Sequence, residues 1–155
     1  MDTIRIVELL DAPELTPTLV RWIRQEWPDS RDDSAIEERL CGSRRRGALP
    51  SALVAVADSV PIGFVSLTLY EKGIEQGRPH WIDALYVDPA YRGHGIARQL
   101  LHAAEEMSAV LGLTELFALT EAPGLYLKCG WSSLEEIATP TGRDFIMARR
   151  LAEQG

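Results

Sequence analysis

The sequence predicts an α/β protein, more narrowly an α+β mixed sheet with helices on both faces. Three observations predict it. Apolar residues recur with strand or helical period in the order β-α-α-β-β-β-α-β-α-β-β. The sharpest change of period falls between Trp81 and Ala104, where a strand pattern passes through a glycine loop into a long amphipathic helix. Finally, 155 residues with 46% hydrophobic and 25% charged side chains are the proportions of a soluble globular chain with one sizeable core. Residues 1–155 therefore read as a single domain.

Thr3–Leu9 alternates around Ile4 and Ile6 as a first strand, turned by Asp11-Ala12-Pro13. Thr16-Pro17 opens a helix, with threonine as the expected N-cap and proline at the first helical position. Leu19, Val20, Ile23 and Trp27 share one face of it, and Pro28 stops it. After the polar stretch WPDSRDD, Ser34-Ala35-Ile36-Glu37 has the form of a capping box for a second short helix reaching about Cys41. Ala52–Ala57 and Pro61–Tyr70 form a hairpin across Asp58-Ser59-Val60, and Glu71–His80 is a polar loop.

Trp81–Val87 is the central strand, ended by Pro89, which offers no N–H to a ladder. From Ile96 onward Ala97, Leu100, Leu101, Ala104 and Leu111 fall on one helical face, with Gly112 as the C-terminal cap. Thr114–Leu119 is a fifth strand, and Glu121-Ala122-Pro123-Gly124 starts a short helix closing at Gly130. Trp131–Ile137 and Arg143–Arg149 make a last hairpin.

Arg92-Gly93-His94-Gly95 sits between strand and helix, the position of a phosphate cradle. Glycine permits close backbone approach, the first-turn N–H groups lack helical partners, and the dipole favours an anion. Spacing separates the families that use this device. A dinucleotide fingerprint would need Gly or Ala where Arg98 stands, and no Walker A run exists. The pattern [QR]-x-x-G-x-[GA] is filled by Arg92, Gly95 and Ala97, and Leu125-Tyr126-Leu127-Lys128-Cys129-Gly130-Trp131 follows the next strand. Together with Leu85-Tyr86-Val87-Asp88-Pro89, these segments resemble the GNAT superfamily of acetyl-coenzyme A-dependent N-acetyltransferases, from about Ile4 to Leu151.

The resemblance implies an acyl-coenzyme A N-acyltransferase fold. It also implies direct transfer of acetyl from acetyl-coenzyme A to a primary amine, of a small aminoglycoside-like or polyamine compound or of a protein. Backbone groups of Leu85, Tyr86 and Val87 would pair with the pantetheine arm, the amides of Gly93, His94, Gly95, Ile96 and Ala97 would hold the pyrophosphate, and Arg92 would be a further cofactor-binding residue. Tyr126 maps to the tyrosine that assists departure of the thiolate; a buried structural tyrosine is the other reading. An asparagine common in the family between the fifth strand and the tyrosine helix is missing, the linker being Thr120-Glu121-Ala122-Pro123-Gly124. Cys129 has no evident histidine partner, which favours direct transfer over an acetyl-cysteine.

An ammonium acceptor must shed a proton, and a carboxylate on the acceptor side would serve. Asp83 matches the place where aminoglycoside 6′-N-acetyltransferases often have an acid. Simple alternation puts it on the face of Leu85 and Val87, as base, as substrate-binding group or as a strand residue bonding a neighbour. Glu26 and Glu121 are further carboxylates, and Trp22 and Trp27 belong to the acceptor region or to the core. A non-catalytic acyl-coenzyme A sensor or partner-binding module on the same fold is the competing functional class.

Composition narrows the rest. Net charge is −7, which disfavours nucleic acid and suits cationic substrates. Two cysteines and three histidines show no disulfide framework or metal spacing, so no metal is expected. No apolar run approaches a membrane span and the N-terminus has no basic region of a signal peptide, which makes the cytoplasm the expected compartment. Arg44-Arg45-Arg46 reads as a solvated loop or as a neighbour of the phosphates. A homodimer is implied by the resemblance alone.

Overall fold

The computed structural model describes residues 3–28, 32–42, 48–69 and 78–151. Its elements follow the predicted order: β1 (Ile4–Glu8), α1 (Thr16–Glu26), α2 (Asp33–Cys41), β2 (Ser51–Ala57), β3 (Val60–Leu69), β4 (His80–Val87), α3 (Ile96–Val110), β5 (Glu115–Thr120), α4 (Gly124–Lys128), β6 (Ser132–Thr139) and β7 (Gly142–Arg150). Predicted features at 29–31, at Arg44-Arg45-Arg46 and over 70–77 lie outside the described residues.

The seven strands make one mixed sheet in the order β1-β2-β3-β4-β5-β7-β6. Helix α3 covers one face, where Leu100, Leu101 and Ala104 pack on Val65, Leu67, Ile82, Leu116 and Met147. Helices α1 and α2 cover the other through Leu19, Trp22, Ile36 and Leu40 against Val54, Phe64 and Tyr86. With helices on both sides, all seven residues of β2 are buried, so it reads as a continuous apolar run instead of an alternating one. Truncating Leu100 or Leu101, both fully buried, would cost about 2–5 kcal/mol.

Two predicted caps are displaced. Thr16 lies inside α1 and caps nothing; its N–H bonds the Pro13 carbonyl because a 3-10 turn over Pro13–Leu15 runs straight into the helix. In α2 the cap is Asp32, whose Oδ1 accepts from the Ala35 N–H at 2.9 Å, so Ser34 and Glu37 are not the box the spacing suggested. Gly112 ends α3 as expected. At φ +85° it lets its own N–H reach the Ala109 carbonyl and the Leu113 N–H reach that of Ser108.

What positions a site is a defect in the sheet's centre. Strands β4 and β5 run parallel but pair only at Trp81↔Phe117 and Ile82↔Ala118. On the other side of β4, Ser66 pairs with Ala84 and Leu67 with Ile82, so Asp83 is an extra residue inserted into the β3–β4 register. Such a bulge bends and twists the strand. Past Ile82, β4 leaves β5 and presents its edge to a gap.

Candidate active site

The gap is filled by two adjoining cavities. The first, about 670 Å³, is walled by Leu85, Tyr86 and Val87 of β4, by Tyr91, Arg92, Gly93 and Gly95, and by Ile96, Ala97 and Arg98 of the first turn of α3. Gly93 and Gly95 stand at φ +85° and +78°, and a Cβ on either would meet nothing within 4 Å, so the loop faces open space. The first bond of α3 is Gln99 N–H to the Gly95 carbonyl. The N–H groups of Ile96, Ala97 and Arg98 are therefore left over by the helix and aimed at that space. Glycine backbone, spare N–H groups and the helix dipole fit a pyrophosphate.

Most of the predicted cofactor-binding residues share this wall; His94 lies in the loop but off it. Tyr91 and Arg98 join unforeseen. Arg92 does not extend into the loop. Its Nε donates to the Val87 carbonyl at 2.8 Å and its guanidinium lies over the Tyr86 ring, 5.5 Å from the centroid. It braces the loop against β4.

The second cavity, about 570 Å³, is walled by Ile82, Asp83, Ala84 and Leu85, by Glu26 and Trp27 at the end of α1, by Leu119 to Ala122, by Leu125 and Tyr126, and by Asp144 of β7. Both volumes are those of small-molecule sites. Glu26, Asp83, Glu121 and Asp144 bring four carboxylates to this basin. The two candidate tryptophans divide: Trp22 is 5% exposed and stacked on Phe64, a core residue, whereas Trp27 is 41% exposed on the basin rim. Glu26, Leu85, Ala122 and Leu125 line both cavities, so the two open into each other.

Asp83 faces the opposite side from the one alternation suggested. Leu85 and Val87 pack with the α3 face, while Ala84 and Tyr86 pack with the α1–α2 face. The bulge repeats a side, so Asp83 turns with Ala84 toward α2. There the Arg39 guanidinium meets it from two nitrogens, Nη2 to Oδ1 at 2.7 Å and Nε to Oδ2 at 3.4 Å.

Tyr126 is 6% exposed on the basin wall and lies edge-on to Trp131, 5.1 Å between centroids at 71°. Burial, with a smaller contribution from nearby Cys129, pushes its hydroxyl up to about 12. Among the described residues no hydrogen bond engages that hydroxyl. Thr120, standing near where the family asparagine would be, has its Oγ1 occupied by the Ala122 N–H at 3.0 Å.

Arg39, Asp144 and the bulge at Asp83 escaped sequence reasoning. For Arg39 a signal existed: it falls between Ile36 and Leu40, the buried residues of α2, and so beside the sheet. Among the described residues no group of histidine, cysteine and carboxylate side chains is arranged to hold a metal. Nor is any described helix long and apolar enough to cross a membrane.

Comparison with known proteins agrees with this fold. The chain is 28% identical over 142 residues to an aminoglycoside N(6′)-acetyltransferase type 1 of Klebsiella aerogenes, covering 83% of this chain and 92% of that one. It is 27% identical over 99 residues to the protein of the same name in Salmonella typhimurium, where the match covers 60% of this chain and 65% of the relative, under two thirds of its length. An aminoglycoside 6′-N-acetyltransferase complexed with coenzyme A superposes with a TM-score of 0.75 at 20% identity, covering 97% and 99% of the chains. The NatC complex bound to Gag peptide and CoA gives 0.78 at 20% identity, covering 98% and 100%. At such identities these two likenesses speak for the fold. Residues 16–131, well over half of the sequence, match the Acetyltransferase (GNAT) family, and the chain belongs to it.

Proposed function

We propose that the protein transfers an acetyl group from acetyl-coenzyme A directly to a primary amine on a small polycation of the aminoglycoside type. The observation that carries this reading is the junction of the two cavities. A backbone cradle suited to a pyrophosphate opens, past Leu85 and Leu125, into a basin lined by four carboxylates and Tyr126. The curated relatives point to the same acceptor class by name.

In this reading the amides from Gly93 to Ala97 bind the pyrophosphate. The free edge of β4 along Leu85, Tyr86 and Val87 aligns the thioester, where an edge N–H polarises its carbonyl. Asp83, with Glu26, Glu121 and Asp144, attracts and seats the ammonium groups of the acceptor. The carbon–nitrogen bond forms as the carbon–sulfur bond breaks; the amine gives up one proton and the sulfur gains one.

Tyr126 meets the leaving sulfur as a donor. With its proton held to about 12, it is fully protonated at neutral pH. Handing that proton outright to a thiolate of ordinary basicity would be uphill by roughly 5 kcal/mol. Tyr126 Oη therefore stabilises the developing thiolate by a hydrogen bond, and solvent supplies the net proton.

Free thiol released on mixing protein, acetyl-coenzyme A and a panel of amines tests the reading. Aminoglycosides and polyamines should release thiol faster than monoamines. Binding of acetyl-coenzyme A by calorimetry with no thiol release from any amine would overturn transfer and leave a binding module.

A further inference from the structure

The hydroxyl of Tyr126 needs to be aimed, and its own helix cannot aim it. Helix α4 has five residues, too few for stiffness of its own. The side chain that packs edge-on to its ring is Trp131, whose backbone N–H also returns to the Tyr126 carbonyl at 3.0 Å. Trp131 is seated in turn by charged groups from two distant parts of the chain. Its Nε1–H donates to Glu105 Oε2 at 3.4 Å, and Glu105 Oε1 accepts from Arg149 Nε at 2.9 Å. Arg149 Nη1 donates onward to the Gly130 carbonyl at 2.9 Å. Gly130 suits that turn twice over: its φ is +89°, and a Cβ there would stand 2.5 Å from Arg149 Nη1.

The circuit thus ties α3, β7 and the turn after α4 into one frame around Tyr126. Glu105 is mostly covered at 14% exposure, while Arg149 is at 36%. A pair so near the surface contributes little stability by itself. Direction is what it supplies, because Glu105 Oε1, Glu105 Oε2 and Arg149 Nη1 each bond a different group. Glu105 also rides on the helix whose first turn forms the cradle, ten residues or about 15 Å along from Gly95. One rigid element therefore registers both the cradle and the tyrosine.

We propose that Glu105 and Arg149 are positioning residues for acetyl transfer, holding the Tyr126 hydroxyl toward the leaving sulfur through Trp131. The inference rests on the donor role of Tyr126 given above. Glu105→Ala removes both acceptors, and Glu105→Gln keeps an oxygen for one donor only. Trp131→Phe keeps a ring and removes the N–H. If Glu105→Ala fails to fold, the other two carry the test.

Steady-state kinetics should show kcat lowered ~10- to 100-fold in Glu105→Ala, the scale of a small misplacement at a reacting centre, and lowered less in Glu105→Gln. Affinity for acetyl-coenzyme A should stay near wild type. In a Tyr126→Phe background the same substitutions should lower kcat no further, since the group they aim is gone. Equal fold-losses in both backgrounds, or a folded Glu105→Ala with wild-type kcat, would overturn the proposal. Should Tyr126→Phe alone keep its turnover, the donor reading fails instead. The ultraviolet titration of Tyr126 then decides positioning: Glu105→Ala should bring it down from about 12 toward 10, and an unmoved titration overturns it.

Discussion

The proposed donor cradle and the proposed acceptor basin meet at Glu26, Leu85, Ala122 and Leu125, yet they are made of different material. The cradle is largely backbone: two glycines at positive φ, the unpaired N–H groups of one helical turn, and the free edge of one strand. Its parts lie within Leu85–Arg98. The basin is side chain, assembled from α1, β4, the β5–α4 linker, α4 and β7. A diphosphate is the same in every acyl-coenzyme A, so fixed amides suffice. Acceptors differ in size and charge, and side chains can be exchanged to suit them without disturbing the sheet.

The largest expected effect breaks the cradle and spares the basin. Gly95 is at φ +78° with open space before it, so Gly95→Asp adds a strained backbone and a carboxylate where phosphate would lie. Calorimetry with acetyl-coenzyme A should show no measurable binding. A folded Gly95→Asp variant with unchanged affinity would remove the cradle from the account.

The same contrast explains how much was legible in the sequence. A positive-φ turn between a strand and a helix is a local demand, met by residues adjacent in the chain, so Gly93, Gly95 and the start of α3 could be read directly. The central strand and the order of elements along the chain were legible for the same reason, through period and punctuation. Asp83 was legible as a basin residue but not in its direction. The bulge depends on how β4 pairs with Ser66 and Leu67 of β3, which no local pattern records. Arg39 and Asp144 reach the site only once α2 is docked and β7 is paired. The displaced caps were missed for a local reason: Asp32 and the turn over Pro13–Leu15 stand beside Ser34 and Thr16 and take the capping positions instead.

A smaller effect should separate the two regions from the basin's side. Asp83→Asn keeps the size of the side chain and removes its charge. If the carboxylate seats an acceptor ammonium, the KM for a polycationic amine should rise ~10- to 100-fold, the worth of one charged hydrogen bond, with kcat and acetyl-coenzyme A affinity near wild type. A fall in kcat with unchanged KM would move Asp83 from seat to base. No change in either would make it a structural partner of Arg39 alone.

The smallest effect tests whether the basin wall is as dry as its packing indicates. Burial holds the Tyr126 proton to about 12 in the folded chain, against about 10 when the chain is unfolded. Below pH 10 both states carry the proton, and the group makes no pH-dependent difference. Between 10 and 12 the unfolded state ionises while the folded state resists, so stability falls as pH rises, by roughly 3 kcal/mol once both have titrated. At pH 11 about half of that is lost, which for a chain of 155 residues is a Tm lowered by about 3–6 °C beyond what other groups cause. Tyr126→Phe lacks the group, so its melting temperature should decline less steeply over this window, and the two curves should converge or cross. Superimposable slopes would mean that solvent reaches the hydroxyl freely, and that the basin wall is wet at Tyr126.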